Sequence, residues 1–403
     1  MKIIMPALAL VVLKAAMLSA ATPYLAHRWS FDTATDSIGG VVCSPRGEAS
    51  ISGGRLNLPG GASPASDYGD ISGITNTLNS NASLTVEGWV TFSNLVTGSK
   101  LYCFGYLQGP SSAATFPPQS HTLDAPELFF QEYGDTGAYT TAPNTPAAFA
   151  TNQQYAVVVA YDADAGIQSL YTNGILALSG SIGSATIQGL KSTAAYLGGS
   201  FWDGDPDFAG NIREFRVYGG ALSAYDIAMD SLVGPGVALV SRVPQTVSIS
   251  VASPLVIGAS QPAVVTAGFS ETNDVMVTSL ATNWLSSAPA VATVDGTGLV
   301  TAVGAGTSDI SASVGGTTGT VNLVVFAEPH ISNQAMAADG TFQLTFSGPD
   351  GQPFSVRGTN LLTAPLATWP VLLNGTIPPG GSVTFTDAAA PLNSCQFYRI
   401  TSP

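Results

Sequence analysis

The stretch Leu25-Ala-His-Arg-Trp-Ser-Phe-Asp32, taken together with Gly210-Asn-Ile-Arg-Glu-Phe-Arg-Val-Tyr218, decides the fold of the first half of the chain. In both stretches apolar and polar side chains alternate with a period of two, which is typical of a β-strand with one buried face. We therefore predict that they form the first and last strands of one β-sandwich.

The composition of the whole chain favours an all-β protein. A length of 403 residues is too great for one sandwich and indicates two or three domains. The 44 glycines and 26 prolines interrupt the chain throughout, so long runs of good helix formers are missing beyond the N-terminus. Hydrophobic residues make up 45% of the chain, which is enough to build cores, whereas charged residues make up only 9%.

Residues 1–21 have the pattern of a secretory signal peptide. Lys2 supplies the positive start, residues 3–13 are apolar, and Ser19-Ala-Ala21 offers small side chains for cleavage near Ala20 or Ala21. The apolar run is too short for a comfortable membrane span, and no second run of spanning length follows. We therefore expect an exported protein without an integral membrane segment after cleavage.

The net charge of the chain limits the classes of partner that it is expected to bind. The formal net charge is −14, with 26 acidic and 12 basic residues. Such a chain repels phosphate backbones and anionic lipid surfaces, which argues against nucleic-acid and membrane binding. Neutral glycans, metal ions and other proteins remain as candidate partners.

Further segments between the two opening stretches resemble the laminin-G-like, concanavalin A-like jelly-roll family. They are LTVEGWV (84–90), YAVVVAYD (155–162), LYTNG (170–174) and GGALSAYDI (219–227), in the family's order and spacing. The resemblance covers residues 22–235 and implies a jelly-roll sandwich that acts as a binding module. Arg213 stands where the family usually has an acidic residue.

Local patterns predict several details of the fold. Residues 187–197 have the pattern of one strand, and Asn173-Gly174 predicts a two-residue type I′ hairpin turn. Ser223 is the predicted N-cap of a short helix, and residues 295–298 predict a tight turn between two strands. Trp29, Trp89 and Trp284 lie within predicted strands and are expected in the core.

Two smaller β domains are expected after this one. A linker at 236–246 precedes residues 247–326, in which NWLSSAPAVATVDGTGLVTAVGAGT (283–307) resembles the signature of bacterial Ig-like group 2 domains. Residues 327–403 alternate apolar and polar side chains and resemble small C-terminal β domains of exported bacterial proteins. The two resemblances imply a protein that is secreted by a bacterium or retained on its surface.

A calcium site is one candidate in the first domain. Asp32 and Asp36 flank the turn after the first strand, and Glu214 lies on the last strand, which is expected beside the first. Carboxylates and carbonyls of a glycine-rich turn are ligands that calcium takes. The resemblance implies calcium at Asp32, Asp36 and Glu214. The alternative is that the two aspartates make Asx-turn hydrogen bonds.

A second candidate is the acidic loop that contains Trp202, Asp203, Asp205 and Asp207. An aromatic ring beside carboxylates could stack on a sugar and bond its hydroxyl groups, or the aspartates could bind calcium. The alternative is a solvated hairpin tip with Trp202 packed inward. The odd number of cysteines leaves open whether Cys43 and Cys103 form a bridge or are buried free thiols.

Catalysis finds little support in the sequence. A retaining glycoside hydrolase needs two carboxyl groups about 5–5.5 Å apart. Glu127 and Glu132 differ by five positions and would face opposite sides of a strand, whereas Glu48, Glu87 and Glu214 each stand alone on their strands. None of the three histidines accompanies a nucleophile-elbow sequence. We therefore expect no enzymatic activity.

The sequence supports three functions in order of preference. The first is an exported, non-catalytic binding protein whose jelly roll recognises a glycan or a surface partner, with calcium as a candidate cofactor. The second is a structural or adhesive surface protein without a small ligand. The third is a glycoside hydrolase of the glucanase type.

Overall fold

The structure is a computed structural model that describes residues 22–61, 66–96, 98–106, 119–125, 129–133, 139–141, 149–182, 186–202, 204–392 and 396–402. The predicted signal peptide at 1–21, Glu127, Asp203 and Cys395 lie outside these residues. The chain divides into two compact units between Gly236 and Val237. Strands dominate both units, which confirms the all-β prediction.

The first unit is a β-sandwich. In chain order its strands are β1 (Tyr24–Trp29), β2 (Ser44–Pro45), β3 (Ser50–Ile51), β4 (Leu56–Gly61), β5 (Gly69–Asp70), β6 (Leu84–Phe92), β7 (Ser99–Tyr106), β8 (Gln119–Ala125), β9 (Phe129–Tyr133), β10 (Tyr139–Thr141), β11 (Gln154–Asp162), β12 (Ile167–Thr172), β13 (Ile175–Ser181), β14 (Ala194–Leu197) and β15 (Asp207–Gly219).

These strands form two sheets. The front sheet has the order β13-β12-β11-β6-β15-β4-β3, and β1 pairs with the C-terminal part of β15. The back sheet has the order β10-β9-β8-β7-β14-β5-β2. The first and last strands are therefore antiparallel neighbours, as the opening sequence stretches predicted. The core between the sheets is formed by aromatic and aliphatic residues such as Trp29, Phe92, Tyr102, Phe215 and Val217.

Short helices complete the first unit. They are α1 (Thr75–Ser80), α2 (Ala224–Val233) and 3-10 turns at Ser72–Ile74 and Ile187–Leu190. Ser223 caps α2 as predicted, because its hydroxyl accepts the Asp226 amide and the Asp226 carboxylate accepts the Ser223 amide. In the part of the chain described, no helix has the length and apolar character needed to cross a membrane.

Both faces of the central front-sheet strands are buried. Leu84, Val86, Val90 and Phe92 of β6 point into the core. On the opposite face, residues of β11, β12 and β15 pack against Ile227 of α2. Helix α2 therefore covers the outer face of the front sheet, so polar residues there are removed from water.

One hairpin prediction is confirmed and one strand prediction is wrong. Asn173 and Gly174 join β12 to β13 with positive φ angles of 50° and 79°, as a two-residue type I′ turn requires. Residues 187–197 were expected to form one strand, but they form the 3-10 turn and then β14. Ile187 and Leu190 are both buried at a spacing of three, which places them on one side of such a turn.

The second unit begins with an Ig-like sandwich. Its strands are β16 (Thr246–Ser250), β17 (Leu255–Val256), β18 (Ser260–Pro262), β19 (Val264–Gly268), β20 (Val275–Met276), β21 (Thr282–Ser286), β22 (Ala292–Val294), β23 (Leu299–Ala302), β24 (Gly306–Val314) and β25 (Thr317–Phe326), with a 3-10 turn at Thr278–Leu280. The predicted turn at 295–298 joins β22 to β23, and a Cβ added to Gly298 would lie 2.6 Å from the Trp284 ring. Trp284 is half-buried against this turn, whereas Trp29 and Trp89 of the first unit are buried as expected.

A smaller sandwich, the C-terminal sandwich, ends the second unit. Its strands are β26 (His330–Met336), β27 (Phe342–Ser347), β28 (Pro353–Thr359), β29 (Val371–Thr376), β30 (Ser382–Asp387) and β31 (Phe397–Thr401), with 3-10 turns at Leu366–Thr368 and Ala390–Leu392. The sheets β26-β27-β30 and β29-β28-β31 enclose a core that includes Leu344, Phe346, Phe354, Val356 and Ile377.

Candidate functional site

Asp36, the first of the predicted calcium ligands, is buried and hydrogen-bonded on both carboxylate oxygens. Oδ2 lies 2.6 Å from His27 Nδ1 and accepts the Gly39 amide at 2.9 Å. Oδ1 accepts the amides of Arg28 and Ile38, both at 2.8 Å. Burial alone would raise the pKa of Asp36, but these hydrogen bonds outweigh it and hold the pKa below its usual value. Asp36 therefore makes the Asx-turn bonds of the alternative prediction.

Glu214, the second predicted ligand, is buried between two arginines. Its Oε1 accepts from Nε of Arg28 at 2.8 Å and from Nε of Arg216 at 2.6 Å. Its Oε2 accepts from Nη2 of Arg28 at 3.1 Å and from the Gly236 amide at 2.7 Å. Burial would raise the pKa of Glu214, but the two arginines and the amide lower it. The carboxylate is neutralised by the protein itself.

Asp32, the third predicted ligand, is exposed beside Arg213. Nη1 of Arg213 lies 4.0 Å from Asp32 Oδ1 and donates to the carbonyls of Ser30 and Gly54, each at 2.9 Å. Two carbonyl oxygens and a carboxylate are the kind of ligand set that calcium takes, and here a guanidinium lies among them. Arg213, which stands where the family usually has an acidic residue, thus places its guanidinium cation among these oxygen atoms.

The structure does not bring Asp32, Asp36 and Glu214 together around one point. Among the residues that it describes, no group of three His, Cys, Asp or Glu side chains is arranged to hold a metal ion. The residues present therefore do not fit the calcium site that the resemblance implied. The physical reason is that each carboxylate already has cationic or amide partners.

A buried ion cluster on the outer face of the front sheet unites two carboxylates that the sequence left separate. Glu87 on β6 lies 3.5 Å from Nη1 of Arg216 on β15, and Arg216 also binds Glu214. The guanidinium carbon lies 4.4 Å from the centroid of the Trp89 ring. All three charged side chains are buried. Both carboxylates are thus paired with arginine beneath α2 and are not available as an acid and base for a substrate.

His27 joins Asp36 to Thr77 in a second buried network that sequence analysis missed. Its Nδ1 bonds the Asp36 carboxylate, and its Nε2 lies 2.8 Å from the Thr77 hydroxyl on α1. The order carboxylate–imidazole–hydroxyl is that of a nucleophile relay. His27, however, is only 5% exposed and stacks on Trp29. We interpret the network as structural, because it fixes the turn at Asp36 and helix α1 to strand β1.

The Trp202 loop is held by an ion pair. Asp205 accepts a hydrogen bond from Ser200 at 2.6 Å and lies 3.1 Å from the Lys100 ammonium, which is itself 5.9 Å from the Trp202 ring centroid. Trp202 is half-buried and packs on a cluster that includes Phe201. The ring is thus anchored on one side while part of it remains accessible.

Asp207, at the end of the same loop, belongs to another environment. It is wholly buried, and its Oδ2 accepts the amides of Ser66 at 3.0 Å and Asp67 at 3.1 Å. Burial, together with the nearby Asp67 charge, raises its pKa despite these bonds. Asp207 fixes the segment before β5 and is not a partner of Asp205. The carboxylates of Asp205 and Asp207 therefore lie in separate environments and do not form one site.

Trp202, which the sequence indicated, belongs to an aromatic cluster on the outer face of the back sheet whose other members sequence analysis missed. We name Tyr68, Tyr196, Phe201 and Trp202 the aromatic patch. The rings of Tyr68 and Tyr196 have centroids 4.3 Å apart, and those of Tyr196 and Phe201 are 5.0 Å apart. Burial raises the pKa of Tyr196, with a further contribution from Tyr68, so its hydroxyl stays neutral.

The alternation of β14 explains why this patch faces outward. Ala195 and Leu197 point into the core, and Tyr196 therefore points away from it. Its strand neighbours are Cys103 on β7 and Asp70 on β5. Asp70 lies 3.2 Å from the exposed Arg46, so a polar ion pair borders the patch on this side.

Cys43 and Cys103 lie on opposite sides of the back sheet. Cys43 is in the core, whereas Cys103 belongs to the cluster beneath the aromatic patch. Both are buried free thiols, which selects one of the two alternatives left open by the sequence. Burial and the Asp70 charge raise the pKa of Cys43 to about 12, so it is a packing residue and not a nucleophile.

Comparison with protein families assigns the first two domains. Residues 63–228 match the model described as the concanavalin A-like lectin/glucanases superfamily, and residues 244–325 match the bacterial Ig-like domain (group 2). The chain carries a concanavalin A-like domain followed by a bacterial Ig-like domain. No curated protein matches the sequence.

Several solved structures are similar to the chain at low identity. Domain 4 of AbnA, a GH43 extracellular arabinanase from Geobacillus stearothermophilus solved with arabinotriose, is 18% identical over 51% of this chain and 97% of its own, with a TM-score of 0.37. The CBM40 of Ruminococcus gnavus IT-sialidase, bound to α2,3-sialyllactose, is 17% identical over 43% of this chain and 94% of its own, with a TM-score of 0.37. For Trypanosoma rangeli sialidase the identity is 18% over 51% of this chain and 32% of that one, with a TM-score of 0.37.

Replacing Arg216 should strongly destabilise the concanavalin A-like domain. Arg216→Ala leaves Glu87 and Glu214 buried without their shared cation, which we expect to cost about 3–5 kcal/mol in the free energy of unfolding. Arg46→Ala, which breaks an exposed pair with Asp70, should cost less than about 1 kcal/mol. Urea unfolding of the full chain measures both, and equal losses would contradict a special role for Arg216.

Calcium removal should leave the wild-type domain unchanged. We expect EDTA not to shift its melting temperature, because Arg213 already supplies the cation. Arg213→Asp should lower the melting temperature, and millimolar calcium should restore part of it, by roughly 2–4 °C per kcal/mol of binding free energy. Scanning calorimetry with and without EDTA tests this, and a fall in the wild-type melting temperature on chelation would contradict it.

Asp36 should make the domain sensitive to acid. Its pKa is lowered in the folded state, so its contribution to stability is present above the usual carboxylate pKa of about 3.9 and is lost as the pH falls through the folded-state value. Asp36→Asn should therefore cost about 1–3 kcal/mol at pH 7, and the gap to wild type should narrow towards pH 2. Unfolding curves from pH 7 to pH 2 measure this, and a constant gap would show that ionisation of Asp36 is irrelevant.

Proposed function

We propose that this protein is an exported, non-catalytic glycan-binding protein whose concanavalin A-like domain binds sugar on the aromatic patch. The observation that carries the proposal is the grouping of Tyr68, Tyr196 and Trp202 on one sheet face, each half-buried. Rings held this way keep an accessible apolar surface at little entropic cost, which suits stacking on the C–H face of a sugar.

Polar groups at the border of the patch suit sugar hydroxyl groups. Asp205, held by the buried Lys100, lies beside Trp202, and Asp70 with its partner Arg46 lies beside Tyr196. A few polar groups around an aromatic surface are typical of small-molecule sites, where they fix the orientation of the ligand. Because the chain has a net charge of −14, we propose a neutral glycan as the ligand of this patch.

The absence of catalysis is part of the proposal. A glucanase-type mechanism needs two carboxyl groups that face the substrate. Glu87 and Glu214, which share a face of the front sheet, are buried and paired with arginine. Asp205 is paired with Lys100, and Asp207 is bound to backbone amides. Each of these four carboxylates thus has a partner that a general acid or nucleophile would have to give up.

Export and display complete the proposal. Residues 1–21 have the composition of a cleavable signal peptide, and the bacterial Ig-like domain would act as a spacer behind the binding domain. A protein released by a bacterium or held on its surface meets glycans in its surroundings. If the concanavalin A-like domain binds no glycan, the structural or adhesive role is the function to consider next.

Aromatic truncation should abolish most of the binding. We expect the full chain to bind at least one neutral oligosaccharide on a glycan array, and Tyr196→Ala or Trp202→Ala to weaken that binding at least about tenfold, or about 1.4 kcal/mol. Tyr24→Ala is the matched control, since Tyr24 is an exposed aromatic residue on β1 of the other sheet.

Calorimetric titration of the array hits gives the affinities, and reducing-sugar release from the same oligosaccharides tests for hydrolysis. Absence of any binding, or equal binding by Tyr196→Ala and wild type, would contradict the proposed site. Sugar release that Glu87→Gln or Glu214→Gln abolishes would contradict the proposed lack of catalysis.

A further inference from the structure

An open groove of about 510 Å³ lies on the C-terminal sandwich, separate from the concanavalin A-like domain. Strands β28, β29 and β31 form its floor. Its lining combines the apolar residues Pro353 and Phe354 and the backbone of Gly375 with the polar side chains of Ser355, Arg357, Asn374, Thr376 and Thr401. The volume is in the range of small-molecule sites, which is about 300–1,000 Å³.

The period of two along β28 places these polar side chains on the outer face of the sheet. Phe354 and Val356 belong to the core of the sandwich, whereas Ser355 and Arg357 point to the other side. Arg357 is directly opposite Arg399 of β31 in the strand register. Directly opposed residues share a face, so both arginines belong to the outer face. Arg357 lines the groove, and Arg399 lies next to it on the neighbouring strand.

This arginine pair is unusual because like charges directly opposite each other destabilise a sheet. Arg357 donates from Nη1 to the Trp369 carbonyl at 3.0 Å, which satisfies one of its five N–H groups. Within the residues that the structure describes, Arg399 has neither a side-chain hydrogen bond nor an ion pair. No acidic side chain therefore offsets the charge of this pair in the described structure.

The two arginines are also the only basic residues of the sequence from 327 to 403 if His330 is counted as neutral, and the same segment has four acids. An acidic segment thus has both of its cations on one sheet face. Guanidinium groups match carboxylates with two parallel hydrogen bonds, so an anionic group of the ligand would relieve the repulsion.

We propose that this groove binds a carboxylate-bearing sugar, such as a uronic acid residue of an acidic glycan. Arg357 and Arg399 hold the carboxylate, and the hydroxyl and amide groups of Ser355, Asn374, Thr376 and Thr401 bond the sugar hydroxyls. The net charge of −14 disfavours long polyanions such as nucleic acids, whereas a local arginine pair accepts a short acidic saccharide. This site is additional to the aromatic patch and would bind a different class of glycan.

The test uses the full chain and short oligomers of galacturonate, glucuronate and mannuronate in calorimetric titrations, with the fully methyl-esterified galacturonate oligomer as the uncharged match. We expect at least one acidic oligomer to bind. If the galacturonate oligomer binds, its methyl ester should bind at least tenfold more weakly. Arg399→Gln should lose at least tenfold in affinity, and Arg357→Lys should also lose affinity, because it keeps the charge but not the planar fork.

Two variants serve as controls. Lys191→Gln removes one positive charge from an exposed position of the first unit and should leave binding unchanged. Trp202→Ala should also leave it unchanged, which separates this site from the aromatic patch. Since Arg399 has no described partner, Arg399→Gln should not lower the melting temperature, so its loss of affinity would not reflect unfolding.

Three results would overturn the proposal. The first is no binding of any acidic oligomer by the wild-type chain. The second is equal binding of the galacturonate oligomer and its methyl ester. The third is inorganic phosphate binding at this groove as tightly as the sugar acids, which would identify a general anion site.

Discussion

The buried guanidinium of Arg216 is the constraint on which the first unit depends. It lies between Glu214 and Glu87 and against the Trp89 ring, away from water. An ion in such a position is tolerated only when partners surround it, so β6 and β15 must keep the register that supplies them. Glu214 in turn accepts the Gly236 amide, which ties the last residue of the unit to the same cluster.

The outer faces of the two sheets therefore differ in their exposure to solvent. Because α2 and the ion cluster occupy the outer face of the front sheet, its polar residues serve the fold. Among the residues that the structure describes, no helix covers the outer face of the back sheet at Tyr196, where aromatic rings remain half-buried next to ion pairs. We therefore place the proposed binding role on the back sheet and not at Glu87 and Glu214, which arginine already pairs.

Local signals in the sequence predicted local structure well. The alternation at 25–32 and 210–218, the Asn173-Gly174 turn and the Ser223 cap depend only on neighbouring residues, and all are present. The site depends on contacts distant in sequence: Tyr68 meets Tyr196, and Glu87 meets Arg216. A polar residue that points away from the core of a sheet is predicted to be exposed to solvent. The sequence around Glu87 and Arg216 does not show that α2 will cover them.

The small number of basic residues makes each position informative. Arg28 and Arg216 neutralise buried carboxylates, Arg213 bonds two carbonyls beside Asp32, and Lys100 holds the Trp202 loop through Asp205. Arg55 has no described carboxylate partner either, but it donates to the side-chain oxygen of Asn211. Arg357 and Arg399 are opposed across a strand pair with no described acidic partner. Their repulsion has no evident benefit to the fold, and an anionic ligand supplies the missing partner.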